Sequence, residues 1–188
     1  MPYSLVSVPK KNPNQGRPTP KKFYVILFRW EDVASYERDD KGVNVTTFAM
    51  KEGKTPIAVY ASNKSIHPYH ETSGDDGSKG FLHHVDFESP GNELEMDELV
   101  ENIVNEELGA ITVACGTGKC RIAGTPCSPL VLSDTTQDNA EASKHTIQLV
   151  SQMIGPALGH IAKNLIPVTD NADLNTYLEL TVPADPGV

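Results

Sequence analysis

The stretch Ala114–Arg121, ACGTGKCR, contains a Gly-Lys pair of the kind found in phosphate-binding loops. A Walker-type loop needs a glycine five positions before the Gly-Lys glycine and a Ser or Thr after the lysine. Those positions hold Val113 and Cys120. The proline-containing stretch RIAGTPCSP that follows cannot form the helix whose N-terminal amides would bind phosphate. We therefore expect a hairpin loop, with Gly116 or Gly118 at positive φ.

The three cysteines, Cys115, Cys120 and Cys127, are odd in number and lack CxxC spacing. This pattern indicates neither a disulfide framework nor a zinc ribbon. Across the expected hairpin, Cys115 and Cys120 would lie roughly opposite each other, with Cβ atoms about 4.5–5.5 Å apart. A disulfide needs about 3.8 Å, so we expect reduced thiols.

Four histidines could contribute to a metal site, namely His67, His70, His83 and His84, with oxygen ligands from Asp75, Asp76 and Asp86. His83 and His84 are neighbours, so on a strand they point to opposite faces and at most one joins such a site. We favour structural or solvent-facing histidines. No nucleophile signature surrounds Ser128, Cys127 or Ser133. We expect no catalytic, cofactor-binding or metal-binding residue.

Composition excludes some classes of protein. The chain has 188 residues, a formal net charge of −9 and a pI near 5.1. Such a charge argues against a surface that grips nucleic acid or an anionic membrane. The first residues lack an apolar core of signal-peptide length, and no segment approaches the roughly 20 apolar residues that span a bilayer. We expect a soluble protein made in the cytoplasm.

Short apolar runs predict a chain made mainly of strands. The run Phe23–Trp30, FYVILFRW, has the pattern of a strand buried on both faces. Val43–Met50 and Pro56–Ser62 predict further strands in long hairpins, and Phe81–Phe87 predicts another. The polar, glycine-rich segment His70–Gly80 predicts a mobile loop.

One helix is predicted over about residues 92–108. Asn92 followed by Glu95 resembles a capping box, and Gly109 stands where a left-handed cap would end the helix. The apolar stripe consists of Met96, Leu99, Val100, Ile103 and Val104. Between Glu93 and Glu107 the polar face carries seven acids and no base. We interpret it as a solvated face that could also meet a basic partner.

After this helix, three strand-like runs predict a meander, at residues 110–115, 120–136 and 144–154. The chain thus divides into a basic extended arm over residues 1–22, a single β-rich domain over 23–163 and an extended acidic arm over 164–188. Thr176–Val182, TYLELTV, alternates like a strand that joins a neighbour's edge.

Charge layout predicts that both arms contact neighbouring subunits. The N-terminal arm has five bases and no acid, whereas the chain after Lys163 has acids and no base. Such polarity favours a head-to-tail contact between copies. The candidate interface residues are Lys10, Lys11, Arg17, Lys21, Lys22, Tyr177, Leu178, Leu180 and Val182.

The order of parts resembles that of the tail tube proteins of long-tailed bacteriophages and the related tubes of contractile injection machines. The segments that carry the resemblance are FYVILFRW, the polar hairpin region ending in SKGFLHHVDF, the helix MDELVENIVNEE, and GAITVACGTGKCRIAGTPCSPLVLS. They cover residues 23–154, about two thirds of the chain.

The resemblance implies a fold and a function. The expected fold is mainly β (α+β): an antiparallel β-sandwich or half-open barrel with one flanking α-helix, long hairpins and extended terminal arms. Six copies would close into a ring, and rings would stack into a tube in the tail of the virion. The implied partners are other copies and other tail proteins, such as the tape measure and tail terminator proteins. DNA would pass through the lumen without specific binding, and no membrane is involved.

Alternatives remain open at this level. The chain could be another phage head-tail connector or tail terminator ring protein, or a metal-binding or small-ligand-binding soluble domain. Size in solution separates these classes, because a tube subunit polymerises whereas an enzyme forms a compact small oligomer.

A nucleotide-binding test follows from the failed loop pattern. Adding ATP and magnesium should leave the thermal unfolding midpoint unchanged, because GTGK lacks the phosphate-loop requirements. A ligand at 100 times its Kd would stabilise the fold by about 2.7 kcal/mol. A clear upward shift of the midpoint would show that the hairpin interpretation is wrong.

Overall fold

A computed structural model describes residues 5–13, 16–116 and 120–181 of the 188-residue chain. The described part is mainly β, as the sequence predicts. Its strands are β1 (Lys21–Arg29), β2 (Val33–Arg38), β3 (Asn44–Met50), β4 (Ile57–Tyr60), β5 (His67–Ser73), β6 (Gly80–Pro90), β7 (Leu108–Ala114), β8 (Cys120–Ala123), β9 (Leu130–Asp138), β10 (Ser143–Ser151) and β11 (Gly159–Ile161). Its helices are α1 (Leu94–Ile103) and α2 (Ala172–Leu178), with 3₁₀ turns at Trp30–Asp32 and Lys163–Leu165.

The described strands form one continuous sheet with a branch at β7. Along its main path the order is β2-β3-β11-β8-β7-β9-β10-β6-β5. Strand β1 branches from this path because it pairs with β7 on one side and with β4 on the other. Among the described strand pairs only β11–β3 is parallel. The arrangement is consistent with the predicted sandwich or half-open barrel.

Two hydrophobic cores lie on opposite faces of the β1–β7 pair. In β1, Val25 and Leu27 join the first core, whereas Ile26 and Phe28 join the second. All four side chains are at most 4% exposed. The prediction that FYVILFRW is a strand buried on both faces is therefore confirmed.

The first core lies between the β1–β7 pair and the long hairpin strands, with α1 packed against it. Its largest fully buried members are Phe87, Leu108, Leu130, Ile147 and Leu149. The second core joins β1 and β7 to β3, β8, β11 and the C-terminal segment, and an aromatic group of Phe28, Trp30, Tyr36 and Phe48 packs edge to face within it.

Helix α1 is shorter than predicted, and its caps differ. Glu93, not Asn92, is the N-cap, and its side chain makes no capping hydrogen bond. Asn92 instead donates Nδ2 to the carbonyl of Gln137 at 3.3 Å. Gly109 lies inside β7, where a Cβ would overlap the Phe28 ring. Close packing between adjacent strands, not helix termination, therefore requires this glycine.

The predicted apolar stripe of α1 does face the sheet. Ile103 is buried, and Met96, Leu99 and Val100 are partly buried against the first core. Val104, the fifth member of the stripe, lies just beyond the helix and is 43% exposed.

The prediction of an extended C-terminal arm is wrong. Residues predicted as the strand TYLELTV instead begin in α2, whose N-cap Asn171 accepts hydrogen bonds from the backbone N–H groups of Asp173 and Leu174 at 3.0 and 3.1 Å. Leu178 is fully buried and Leu180 is 8% exposed, both in the second core. A capped turn with Leu174 and Leu178 on one face prevails over the alternating pattern. The domain therefore extends past residue 163, at least to Leu180.

Two further boundaries differ from the sequence prediction. Much of the predicted mobile loop His70–Gly80 is paired, because Ser73 and Gly80 are opposite each other at the end of the β5–β6 hairpin. The run 120–136 is two strands, β8 and β9, separated by a turn in which Gly124 has φ of +81°. Because β7 lies between β8 and β9, the last strands are not a simple meander.

The packing of α1 predicts a clear contrast between its two faces. Ile103→Ala should lower the free energy of unfolding by about 2–5 kcal/mol, because it leaves a cavity in the first core. Glu98→Ala and Glu101→Ala, at exposed positions, should change it by less than about 0.5 kcal/mol. Denaturant unfolding measures both, and equal losses on the two faces would contradict this orientation of the helix.

Candidate functional site

The N-terminal arm is the most exposed apolar segment among the described residues. Residues 5–11 are neither helix nor strand, and all of 5–13 are exposed. Leu5, Val6 and Val8 are 103%, 75% and 86% exposed. The arm ends at Pro20, since Lys21 and Lys22 already belong to β1. Burying exposed apolar side chains lowers their free energy, so side chains of this kind are typical of a segment that is buried in a complex.

The arm and the body carry opposite charge. Residues 1–20 contain three bases, Lys10, Lys11 and Arg17, and no acid. The whole chain has 16 bases and 25 acids, which leaves 13 bases and 25 acids, net −12, in residues 21–188. Electrostatic attraction therefore favours contact between the arm and an acidic protein surface.

An aromatic patch lies next to the point where the arm leaves the body. We define it as Phe23, Tyr24, Tyr60 and Tyr177, from β1, β4 and α2. Ring centroids are 6.3 Å apart for Phe23–Tyr60, 5.5 Å for Tyr24–Tyr60 and 5.6 Å for Tyr24–Tyr177. Phe23, Tyr60 and Tyr177 are each about 40% exposed (40%, 45% and 39%). Exposed rings of this kind bind proline-rich extended segments.

The predicted interface residues divide into three groups. Lys10, Lys11 and Arg17 lie on the exposed arm. Leu178 and Leu180 are not interface residues, because both are buried in the second core of their own subunit. Val182 lies outside the described residues.

Of the other members of the predicted set, Lys21 starts β1 opposite Ala114, and Lys22 and Tyr177 lie where β1 meets α2. The Lys22 ammonium donates to the Tyr177 carbonyl at 2.7 Å and to Glu179 Oε1 at 3.0 Å, and lies 4.8 Å from the Tyr177 ring centroid. Hydrogen bonds from Lys163 and Lys22 lower the pKa of Glu179 to about 2. Lys22 therefore joins the C-terminal segment to its own subunit, while the outer face of Tyr177 stays available.

The expected hairpin at ACGTGKCR is confirmed. Strands β7 and β8 pair antiparallel, with Thr112 opposite Arg121, and Gly116 has φ of +79°. Residues 117–119 lie outside the described residues. This register places Cys120 beside Val113, so it is not opposite Cys115, and the three cysteines are free thiols.

His83, on β6, is buried and fully hydrogen-bonded in its neutral form. Its Nδ1 accepts from the Gly124 backbone N–H at 2.9 Å, and Nε2 donates to the Pro156 carbonyl at 2.7 Å. Burial lowers the pKa of His83 to about 4. The residue joins β6 to the turn after β8 and to the segment before β11.

The other members of the histidine group also make local contacts. His67, Tyr69 and His84 stack with ring centroids 4.6 Å apart at each step. His70 Nδ1 accepts from the Leu158 backbone N–H at 3.0 Å. In the described part of the chain, no group of three or more His, Cys, Asp or Glu residues is placed to hold a metal ion. Neither described helix is long and apolar enough to cross a membrane.

A half-open cavity of about 240 Å³ lies between α1, the end of β1 and the start of β4. Its wall is mostly apolar, with polar groups from Arg29, Asp32 and Asn102 at its margin. These three side chains could orient a small apolar ligand that carries one polar group.

Comparison with protein-family models, with curated proteins and with solved structures finds no match for this chain. A functional assignment therefore depends on the arm, the patch and the charges described above.

Sequence reasoning found the bases of the arm but missed the aromatic patch. Adjacent aromatic residues in β1, Phe23 and Tyr24, were the available signal. Tyr60 and Tyr177 join them only through the pairing of β1 with β4 and the docking of α2.

The environment of His83 predicts a pH dependence of stability. Because its folded pKa lies below the ordinary value of 6.5, the unfolded chain takes up a proton first as the pH falls. Stability from this group is complete above pH 6.5 and should fall by about 3 kcal/mol in total as the pH drops to 4. Urea unfolding of the wild type and of His83→Gln, which keeps one donor and one acceptor, measures the difference. Parallel pH profiles would contradict the buried neutral imidazole.

Proposed function

We propose that this chain is a structural subunit that assembles with copies of itself through its N-terminal arm, as the tail tube subunit of a long-tailed phage. The observation that carries the proposal is the exposed, basic arm on an acidic body. The order of segments in the sequence, from FYVILFRW to GAITVACGTGKCRIAGTPCSPLVLS, adds the resemblance to tail tube proteins. In this proposal six copies close a ring, and stacked rings form the conduit for DNA in the virion tail.

The arm supplies the energy for assembly. Full burial of a Val or Leu side chain contributes about 1.5–3 kcal/mol, and three such side chains stand in solvent at Leu5, Val6 and Val8. Ordering the arm opposes this gain, so the contact also needs the attraction between the arm's three bases and an acidic neighbour. The acceptor is the aromatic patch of a second copy.

Unpaired strand edges offer further contact. In the described part of the chain, β5 pairs only with β6, and β2 pairs only with β3. Their outer edges present backbone donors and acceptors that a neighbour can pair with or cover. A subunit with an arm at one place and open edges at others forms the heterologous contacts that close rings or extend tubes.

The acidic body suits a conduit. Net charge of −12 over residues 21–188 repels the phosphates of DNA, so DNA slides instead of binding. The partners in this proposal are further copies and other tail proteins, such as tape measure and tail terminator proteins. The subunit is made in the bacterial cytoplasm and functions in the virion.

The cavity beside α1 favours a second candidate, a small-ligand-binding domain. Its volume of about 240 Å³ is below the usual range of about 300–1,000 Å³ for a ligand pocket, and its two charged groups, Arg29 and Asp32, are already engaged in ion pairs. Arg29 contacts Glu31 and Glu106, and Asp32 contacts Lys54. We rank this function second for that reason.

Reversing the charge of the arm should stop assembly without unfolding the subunit. In Lys10→Glu/Lys11→Glu/Arg17→Glu the arm repels the acidic body, so concentrated protein should stay monomeric in light scattering and show no rings or tubes in electron microscopy. The matched control, Lys41→Glu/Lys64→Glu/Lys79→Glu, makes the same change of charge at exposed positions of the body and should still assemble.

Deleting residues 1–20 should give the same monomer, with a melting temperature that falls only slightly, because these residues lie outside both cores and the Cys115–Pro20 backbone hydrogen bond that links them to the end of β7 contributes little. Deleting 171–188 should instead unfold the chain, since it removes Leu178 and Leu180 from the second core. Normal tubes from the 1–20 deletion would rule out the arm as the assembly device. A wild type that forms only compact small oligomers would rule out the tube.

A further inference from the structure

A buried polar cluster lies where α1 crosses the β9–β10 hairpin. His145, on β10, is opposite Thr136 of β9 and Ser89 of β6, on the face that carries Ile147 towards the first core. Its side chain is 1% exposed. The cluster is independent of the arm and of the proposed assembly.

Asp134 fixes the tautomer of His145. The imidazole Nδ1 lies 3.2 Å from Asp134 Oδ2 and 3.2 Å from Thr136 Oγ1, and the Thr136 hydroxyl donates to the same carboxylate oxygen at 3.0 Å. Because a carboxylate only accepts hydrogen bonds, Nδ1 carries the proton and donates. Nε2 of the neutral ring is then an acceptor.

Nε2 has no hydrogen-bond partner and faces another acceptor. It lies 3.4 Å from Asp97 Oδ1, on the first turns of α1. Two further buried acceptors in this region have no partner, Asp134 Oδ1 and the Oδ1 of Asn92, whose amide reaches β9 at Gln137. Three buried acceptors without a donor, beside one buried and one exposed carboxylate, favour a positive charge at this place.

The geometry at Nε2 favours a metal ion over a shared proton as that charge. Nε2 makes no hydrogen bond to Asp97 although Asp97 Oδ1 lies only 3.4 Å away, whereas Nδ1 does bond to Asp134 at 3.2 Å. Two ligands bonded to a tetrahedral ion at about 2.0–2.2 Å each lie roughly 3.4 Å apart. The separation between Nε2 and Oδ1 matches this geometry.

We propose that a divalent transition-metal ion of the zinc class binds between His145 Nε2 and Asp97 Oδ1. Asp134 orients the imidazole through Nδ1–H, the arrangement in which a carboxylate supports a metal-binding histidine. The Asp97 side chain is 58% exposed, which leaves room for water to complete the coordination. The ion joins α1 to β10 and neutralises the two carboxylates.

This site differs from the histidine group considered in the sequence. It has two protein ligands, which agrees with the absence of any three-residue group among the described residues. The binding should therefore be reversible and easily removed by a chelator. Because α1 has no side-chain hydrogen bond at its N-cap, the ion would stabilise the docking of that end of the helix.

The test uses the full chain after removal of metal with a chelator. Zinc at 100 times its Kd should raise the melting temperature by about 5–10 °C with one ion bound per chain, and cobalt should give a visible absorption spectrum. Asp97→Asn should abolish both effects, and it should fold because the side chain is largely exposed. Asp134→Asn should weaken binding about 10–100-fold. His67→Gln, at an exposed histidine outside the cluster, should bind as the wild type does.

Three outcomes would overturn the proposal. The first is no shift with zinc or cobalt in the wild type. The second is an equal shift in Asp97→Asn, which would place the ion elsewhere. The third is a wild type that does not respond to zinc and whose stability, without metal, varies with pH between 5 and 8 while that of His145→Gln does not. A proton, not a metal ion, would then lie between Nε2 and Oδ1. Tube formation is not a readout here, so failure of the metal site is distinguishable from failure of the proposed assembly.

Discussion

The pairing of β1 with β7 is the contact on which the rest of the structure depends. Each strand buries both faces, so this one ladder is a wall shared by two hydrophobic cores. The hydrogen bond from the Trp30 N–H to the Glu107 carbonyl, at 2.9 Å, continues the contact beyond the ladder. Close approach is possible because Gly109 leaves room for the Phe28 ring. A change that separates these strands exposes both cores at once, whereas a change in α1 or α2 affects only one.

The sequence predicts β1 well because its doubly buried part, Val25–Phe28, is a run of four consecutive large apolar residues. It predicts the ends poorly. The pattern of Leu178 and Leu180 is compatible with an alternating strand and with the end of a short helix. The helix forms because Asn171 caps it and because both leucines pack into the second core. Gly109 fits a helix cap or a strand, and its ring contact is with a residue 81 positions earlier. Local patterns carry no information about such partners.

The candidate sites likewise differ in whether the local sequence alone predicts them. The basic arm is visible in the composition of residues 1–20, since it needs no folded partner to be recognised. The aromatic patch needs three elements to come together, and the Asp97–His145–Asp134 cluster needs the β9–β10 register and the position of α1. A sequence does not show which of its histidines are buried. His145 is the most buried histidine, but the close spacing of the other histidines in the sequence is what suggests a metal site.

In the proposed assembly, the stiff start of the arm favours the patch of a neighbouring copy over the arm's own patch. Pro20 is held at the start of β1, because its carbonyl accepts from the Cys115 N–H at 2.9 Å. Thr19 and Arg17 each precede a proline and are therefore restricted to extended backbone, so the residues next to the body form a stiff segment. The aromatic patch begins only three residues after Pro20, at Phe23, so an arm that reached it within the same chain would have to turn back before the stiff segment and run alongside it. A second copy presents its patch without any reversal. Extended at about 3.3–3.6 Å per residue, a 20-residue arm reaches far enough to do so.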